Sequence, residues 1–140
     1  MMRTTTVLLA CVLMGLCGAG IGAAEQIKPS QEWNGKIRDE GLRKAAPKNG
    51  FLTDAKAWKN LWKAWRGKEE LAKVDFKKNL VLVATAGGPN IPFGTVALDK
   101  GNLTMGVGAT KIGGPGFGYR IVVVSRKGVK KVFGKPLAKD

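Results

Sequence analysis

Four large apolar residues between positions 53 and 66 recur with the period of an α-helix, and this pattern constrains the fold more than any other feature of the chain. The residues are Trp58, Leu61, Trp62 and Trp65. Their spacing of i, i+3, i+4 and i+7 places them on one helical face. Thr53 or Asp54 can cap the first turn by accepting a backbone N–H, and Gly67 can end the last turn. A helix with so wide an apolar face needs a second layer to pack against.

The sequence after this helix favours β-strands. Residues 80–85 and 119–125 are apolar on both faces and rich in β-branched side chains, which is typical of central strands. Residues 95–98 and 103–107 flank an Asp-Lys-Gly-Asn turn and are predicted to form a hairpin. We therefore predict an α+β domain over residues 51–140, with one amphipathic helix packed on a twisted, mostly antiparallel sheet of about five strands.

Ahead of this domain, residues 25–50 are polar and contain four lysines and two prolines. Trp33 and Ile37 are the main large apolar residues before Leu42, so the segment offers little surface to bury. We expect an N-terminal arm that is ordered in part, with a short edge strand at residues 33–37.

The first 24 residues have the order of a secretory signal peptide. A basic start with Arg3 precedes an uncharged, mostly apolar run over residues 7–21, and small residues follow at positions 22–24. This order predicts cleavage after Ala24 and a secreted or periplasmic protein.

Two other interpretations of this segment stay open. The apolar run holds three glycines and is shorter than the roughly 20 residues of a membrane span, yet an uncleaved membrane anchor is one alternative. A lipoprotein is the other, because Leu8-Leu9-Ala10-Cys11 resembles a lipidation box. Residues 7–10 would then be a short apolar core for such a signal.

Cleavage after Ala24 would remove both cysteines, Cys11 and Cys17, from a chain that has no histidine. The usual base for a serine or cysteine nucleophile would then be absent, and a transition-metal site would lack imidazole and thiolate ligands. We therefore predict no metal, no cofactor and no enzymatic activity. A small hydrolase that uses carboxylates is the remaining catalytic hypothesis, and it would be tested at Glu69 and Asp75.

The chain carries 24 Lys and Arg against 10 Asp and Glu, for a formal net charge of +14. Such a charge bears on partners and solubility and not on the fold. On the helix, a basic face lies opposite the apolar one and consists of Lys56, Lys59, Lys63 and Arg66. These side chains are a candidate site for acidic glycans, wall polymers or an anionic membrane surface, while nucleic acid is disfavoured outside the cytoplasm. Alternatively, they are the solvated side of an amphipathic helix.

The tryptophans of the helix allow a second binding hypothesis. Three indoles on one face can line an aromatic platform for a sugar ring or a peptide, but aromatic side chains also dominate core burial. A mixed arrangement buries Trp58 and Trp62 and leaves Trp65 at the rim of the core, where it would be the binding residue.

Three segments together resemble a known family. They are the helix with Trp58, Leu61 and Trp62, the run Val-Asp-Phe-Lys-Lys-Asn-Leu-Val-Leu-Val at residues 74–83, and Gly-Tyr-Arg-Ile-Val-Val-Val at residues 118–124. The pattern resembles small exported bacterial domains of the PrcB type, named for an accessory component of a secreted protease complex, over roughly residues 56–125. The chain departs from that family at Gly94-Thr95-Val96, where the family often has a Gly-Gly-Tyr strand, and in its lysine-rich ending.

The resemblance implies a partner-binding domain and supplies no catalytic residues. Together with the missing catalytic side chains, it leads to the hypothesis of a non-catalytic exported binding or accessory domain that acts on a protein partner. A polyanion-binding protein is the alternative hypothesis, and the sequence leaves the oligomeric state open.

Overall fold

The computed structural model describes residues 24–137, so the predicted signal peptide, with its Cys11 and membrane-anchor alternatives, lies outside the described residues except for Ala24. Within this range the chain forms nine strands, one α-helix and one 3₁₀ helix. In chain order the elements are β1 (Glu25–Ile27), β2 (Gln31–Ile37), the 3₁₀ helix (Glu40–Ala45), β3 (Phe51–Leu52), α1 (Ala55–Arg66), β4 (Asn79–Gly87), β5 (Val96–Asp99), β6 (Asn102–Met105), β7 (Phe117–Ser125), β8 (Lys131–Val132) and β9 (Lys135–Pro136). Between residues 24 and 137, no helix has the length and apolar content needed to cross a membrane.

The strands form two sheets. A four-stranded sheet has the order β2-β7-β4-β3, and a five-stranded sheet has the order β1-β5-β6-β8-β9. Every neighbouring pair is antiparallel except β6 and β8. The predicted α+β class and the mostly antiparallel pairing are confirmed, and the strands are divided between two sheets where the sequence predicts one.

The three layers of the molecule are α1, the four-stranded sheet and the five-stranded sheet, in that order. Each face of the middle sheet therefore has a core of its own. On β7, Ile121 and Val123 belong to the core beneath the helix, while Val122 and Val124 belong to the core between the sheets. All four side chains are at most 1% exposed. This double burial is the physical reason why β4 and β7 are apolar on both faces.

Helix α1 forms where its apolar periodicity predicts it. Asp54 is the N-cap, and its Oδ1 accepts a hydrogen bond from the backbone N–H of Ala57 at 2.8 Å. Trp58 and Leu61 are each 2% exposed and Trp62 is 4% exposed, so the helix packs onto the middle sheet with its predicted face.

The segment predicted as an N-terminal arm is part of both sheets, and that prediction is corrected. Strand β1 pairs with β5, and β2 pairs with β7 along all of residues 31–37. The expected edge strand at residues 33–37 lies within β2 and is confirmed. The segment is polar because β2 is an edge strand, on which Trp33 and Ile37 pack against the helix-side core while Asn34 and Lys36 are exposed.

Candidate functional site

Two loops rich in glycine meet at one end of the molecule. Strand β4 ends at Gly87, directly opposite Phe117, where β7 begins. The loop that follows β4 and the loop that precedes β7 therefore come together, and we call them the glycine-rich end (residues 87–95 and 106–116). They border an open depression of about 560 Å³.

A single side chain joins the two loops. Asn90 is 3% exposed, and its Nδ2 donates to the carbonyl oxygens of Gly87 at 2.7 Å and Ile112 at 2.8 Å. Its Oδ1 accepts from Thr110 Oγ1 at 2.6 Å and from the N–H of Ile112 at 3.0 Å. The amide thus uses both donor hydrogens and both acceptor positions. Sequence reasoning misses this residue, because an asparagine among glycines and prolines indicates only a turn.

The hairpin of β5 and β6 continues into this end. Phe93 and Gly108 exchange two backbone hydrogen bonds of 2.8 Å. A Cβ atom at position 108 would lie 2.7 Å from the Phe93 ring, so the ring lies against the glycine. The absence of a side chain at Gly108 therefore leaves the space in which the Phe93 ring lies.

Apolar side chains are exposed on this rigid backbone. Phe93 is 59% exposed, Val107 is 56% exposed and Ile112 is 60% exposed. Leu71, at 39%, is the other large apolar residue exposed within residues 24–137, and it belongs to a different segment. Three large apolar side chains exposed on two adjoining loops make this end of the molecule the candidate interaction site.

Three of the four residues in the predicted basic face share the outer surface of α1. Lys56, Lys59 and Lys63 are exposed, and none of them forms an ion pair with another described residue. The structure therefore brings these three side chains together as a cationic stripe to which no residue between 24 and 137 supplies a counter-charge.

Arg66 is directed away from the lysines. Its Nε and Nη2 donate to Glu69 Oε2 at 3.1 and 2.6 Å, and its Nη1 donates to the hydroxyl of Tyr119 at 2.8 Å. The guanidinium carbon lies 5.3 Å from the centre of the Trp62 ring. Burial opposes the charged form, but the hydrogen bonds to Glu69 and Tyr119 outweigh it and raise the pKa of Arg66. Arg66 therefore stabilises the fold through these contacts and does not belong to the exposed row of lysines.

Trp65 is in the core and not at its rim. It is 8% exposed, its ring centre lies 5.4 Å from that of Phe117 and 4.9 Å from that of Tyr119, and its Nε1–H donates to the carbonyl oxygen of Leu42 at 2.9 Å. The predicted rim position is therefore corrected, while the predicted burial of Trp58 and Trp62 is confirmed. The helix presents no exposed indole face, because packing on the middle sheet uses all three rings.

The two carboxylates of the catalytic hypothesis have structural contacts. Glu69 holds Arg66, and Asp75 Oδ1 accepts the backbone N–H of Lys77 at 3.0 Å. In the part of the chain that the structure describes, no three Asp, Glu, Cys or His side chains come together as a metal site.

Comparisons with family models, with curated proteins and with solved structures gave no match to this chain. The resemblance to PrcB-type domains thus stays a prediction, and the functional argument depends on the geometry of the described residues.

Proposed function

We propose that this chain is an exported, non-catalytic binding domain that docks on a protein partner through the glycine-rich end. The observation that carries the proposal is the exposure of Phe93, Val107 and Ile112 on loops that the buried Asn90 holds together. Large apolar side chains that a rigid scaffold displays to solvent are the usual anchors of a protein interface.

The rigidity of the two loops favours this use. A loop that is already ordered loses less conformational entropy when a partner binds, so more of the burial energy remains as affinity. Glycine adds a second advantage, because a partner backbone can approach closely where no side chain projects. Lys111, exposed beside Ile112, adds a positive charge, and the matching partner surface is apolar with an acidic border.

The position of β1 fits the predicted export. The signal-like sequence predicts cleavage after Ala24, and β1 begins at Glu25. Cleavage there would leave every described strand intact. N-terminal sequencing of the exported protein tests this step, with residue 25 as the expected start; a start at Cys11 or an intact N-terminus would contradict it.

Capture of partners from the native extracytoplasmic fraction tests the binding surface. The full chain should retain one defined protein at both low and high salt, because apolar contacts are not screened by ions. Phe93→Ala and Ile112→Ala should each weaken retention about tenfold or more, as expected for interface anchors. Leu71→Ala is the matched control, since it removes an exposed apolar side chain elsewhere. Equal capture by all variants, or no specific protein at all, would contradict the proposal.

A polyanion-binding role is the second candidate, and it is favoured by Lys56, Lys59 and Lys63, which form no ion pair within the described part of the chain. A row of exposed cations without internal partners attracts acidic glycans, wall polymers or an anionic membrane surface. The two functions use different faces of the molecule and differ in their salt dependence, because counterion release makes the polyanion interaction steeply sensitive to ionic strength.

A further inference from the structure

The four edges of the two sheets differ greatly in length. Strand β1 has three residues, β3 has two, and β9 has two and includes Pro136. Strand β2 has seven residues and pairs only with β7 among the described strands. Short strands and proline protect a sheet edge, whereas a long edge presents a row of unpaired N–H and C=O groups. The open edge of β2 is therefore the place where this fold can accept another strand.

We propose that the strand accepted there is β2 of a second copy of this chain. The two strands would run antiparallel about a two-fold axis at Asn34, joining two four-stranded sheets into one of eight strands. This proposal is independent of the function proposed for the glycine-rich end, which lies in different loops.

The sequence of β2 is complementary to itself in this register. Residues 31–37 read Gln-Glu-Trp-Asn-Gly-Lys-Ile, so antiparallel pairing about Asn34 sets Glu32 opposite Lys36 of the second copy. The two-fold axis repeats that pair, giving two opposite-charge contacts. Charges of opposite sign directly across two strands are favourable and like charges are unfavourable. Trp33 is set opposite Gly35 across the axis, and the Trp33 ring stays packed in the helix-side core of its own copy.

The charged side chains of β2 are available for these contacts. Glu32 is 40% exposed and accepts from Arg120 Nε through one oxygen, Oε1, at 2.6 Å. Lys36 is exposed and takes no part in the ion pairs between described residues. Glu32 can therefore keep its internal partner and still face a lysine of another copy.

The strand itself is held firmly from the helix side. The ring centre of Trp33 lies 5.6 Å from that of Trp58 and 5.2 Å from that of Trp62. These contacts fix β2 in place before any partner arrives, so little ordering is needed at the edge when a strand is added.

A second observation points to the same edge. The segment after α1 runs alongside this side of the molecule, because Trp58 Nε1 donates to the carbonyl of Ala72 at 2.9 Å and Trp62 Nε1 donates to that of Glu69 at 3.1 Å. Leu71 lies between those two anchored residues and is 39% exposed. Gln31 Nε2 donates to the carbonyl oxygen of Lys73 at 3.5 Å, so the segment that carries Leu71 borders the start of β2.

A disulfide test addresses the two-fold axis directly. In a full-length chain with Cys11 and Cys17 replaced by serine, Asn34→Cys places a thiol at the proposed axis. Directly opposed residues of an antiparallel pair have Cα atoms about 4.5–5.5 Å apart, a separation that a disulfide can bridge. Gln31→Cys is the matched control, because its thiol would lie roughly 20 Å from the thiol at position 31 of the second copy. Oxidation should yield a covalent dimer with Asn34→Cys and not with Gln31→Cys. Equal yields from the two variants would overturn the proposal.

Charge reversal tests the register in solution. Sedimentation equilibrium of the full chain should show a dimer, and its dissociation constant should rise about tenfold or more in Lys36→Glu. In that variant each Glu32 would face the introduced glutamate of the second copy, and like charges directly across two strands are unfavourable. Lys48→Glu makes the same charge change in an exposed turn before β3, at the opposite edge of the same sheet, and should leave the constant unchanged. A monomer at every concentration, or equal shifts in the two variants, would overturn the proposal. If the chain stays monomeric and Lys36→Glu blocks capture of another protein, the edge belongs to that protein and the proposal of a second copy is likewise overturned.

Discussion

At the scale of single residues, Asn90 is unusual for a loop residue because its side chain is buried and makes four hydrogen bonds. A buried polar group is costly unless its hydrogen bonds are satisfied, and here one amide satisfies groups from two loops at once. The backbone carbonyl oxygen of Asn90 also packs against the Cα of Gly118 in β7. The position of the glycine-rich end relative to the middle sheet therefore depends on very few atoms.

Asn90→Ala should lower the free energy of unfolding by about 2–4 kcal/mol, because it leaves the carbonyl of Gly87 and both backbone groups of Ile112 without their partner. Urea unfolding measures the change. Asn60→Ala is the control, since Asn60 is exposed on α1 and a substitution there should stay within about 0.5 kcal/mol. Similar midpoints for the two variants would show that Asn90 does not join the loops.

Gly118→Ala should be at least as damaging, at about 3 kcal/mol or more, because overlap with a backbone atom cannot be relieved by a side-chain rotation. A Cβ at position 118 would overlap the carbonyl oxygen of Asn90. Gly113→Ala provides the comparison within the same end of the molecule, because a Cβ built there would have no described atom within 4 Å other than those of Gly113 and its two chain neighbours. Thermal unfolding of both variants decides the matter: equal stability would rule out the close approach.

At the scale of elements, α1 combines an apolar face with three indole N–H groups, and each of these donates to a backbone carbonyl outside the helix. Tryptophan suits this arrangement because one side chain supplies both a large buried area and a directed donor. The carbonyls belong to Leu42, Glu69 and Ala72. Helix α1 thereby fixes the segments before and after it as well as covering the sheet.

The two kinds of cation on α1 should respond differently to substitution. Replacing Lys56, Lys59 and Lys63 by glutamine should lower the slope of log affinity against log salt for heparin by roughly 2–3, because about one counterion is released for each charge contact. The free energy of unfolding of this triple variant should change little, since all three side chains are exposed.

Arg66→Gln should show the opposite behaviour and serves as the comparison. Loss of the bonds to Glu69 and Tyr119 should lower the free energy of unfolding by about 1–3 kcal/mol, while the salt slope stays close to that of the unchanged chain. Salt-dependent heparin elution and urea unfolding separate the two effects. Equal slopes for the lysine variant and the unchanged chain would remove the support for a polyanion site on α1.

At the scale of the whole molecule, the sequence predicts the helix, the long strands of the middle layer and the hairpin of β5 and β6, but not that this hairpin belongs to a separate third layer. Residues 80–85 and 119–125 are long enough for their β-branched, doubly apolar pattern to be recognised. The sheet as a whole escapes recognition because β1, β8 and β9 have only two or three residues, too few for periodicity to be seen. The pairing of β1 and β8 is also set by contacts far apart in the chain.

The residues of the candidate site are likewise only partly predictable from the sequence. Exposed lysines on α1 follow from helical spacing alone, so the sequence predicts Lys56, Lys59 and Lys63. The exposure of Phe93, Val107 and Ile112 depends on how two loops meet in space, and no local pattern encodes it. Trp65 was open to either placement from sequence, because its position on the apolar face is compatible with the rim and with the core.

The three-layer arrangement itself makes a prediction at two neighbouring residues of β7. Val123 faces α1 and is 1% exposed, and Val122 faces the five-stranded sheet and is fully buried. Val122→Ala and Val123→Ala should therefore each lower the free energy of unfolding by about 1.5–3 kcal/mol, through lost burial and the cavity left behind. In a two-layer fold of helix and sheet, Val122 would face water and its truncation would cost little. Calorimetry of the two variants distinguishes these cases: similar losses with one cooperative transition support a single unit built on both faces of the middle sheet, and a loss confined to Val123→Ala would contradict the third layer.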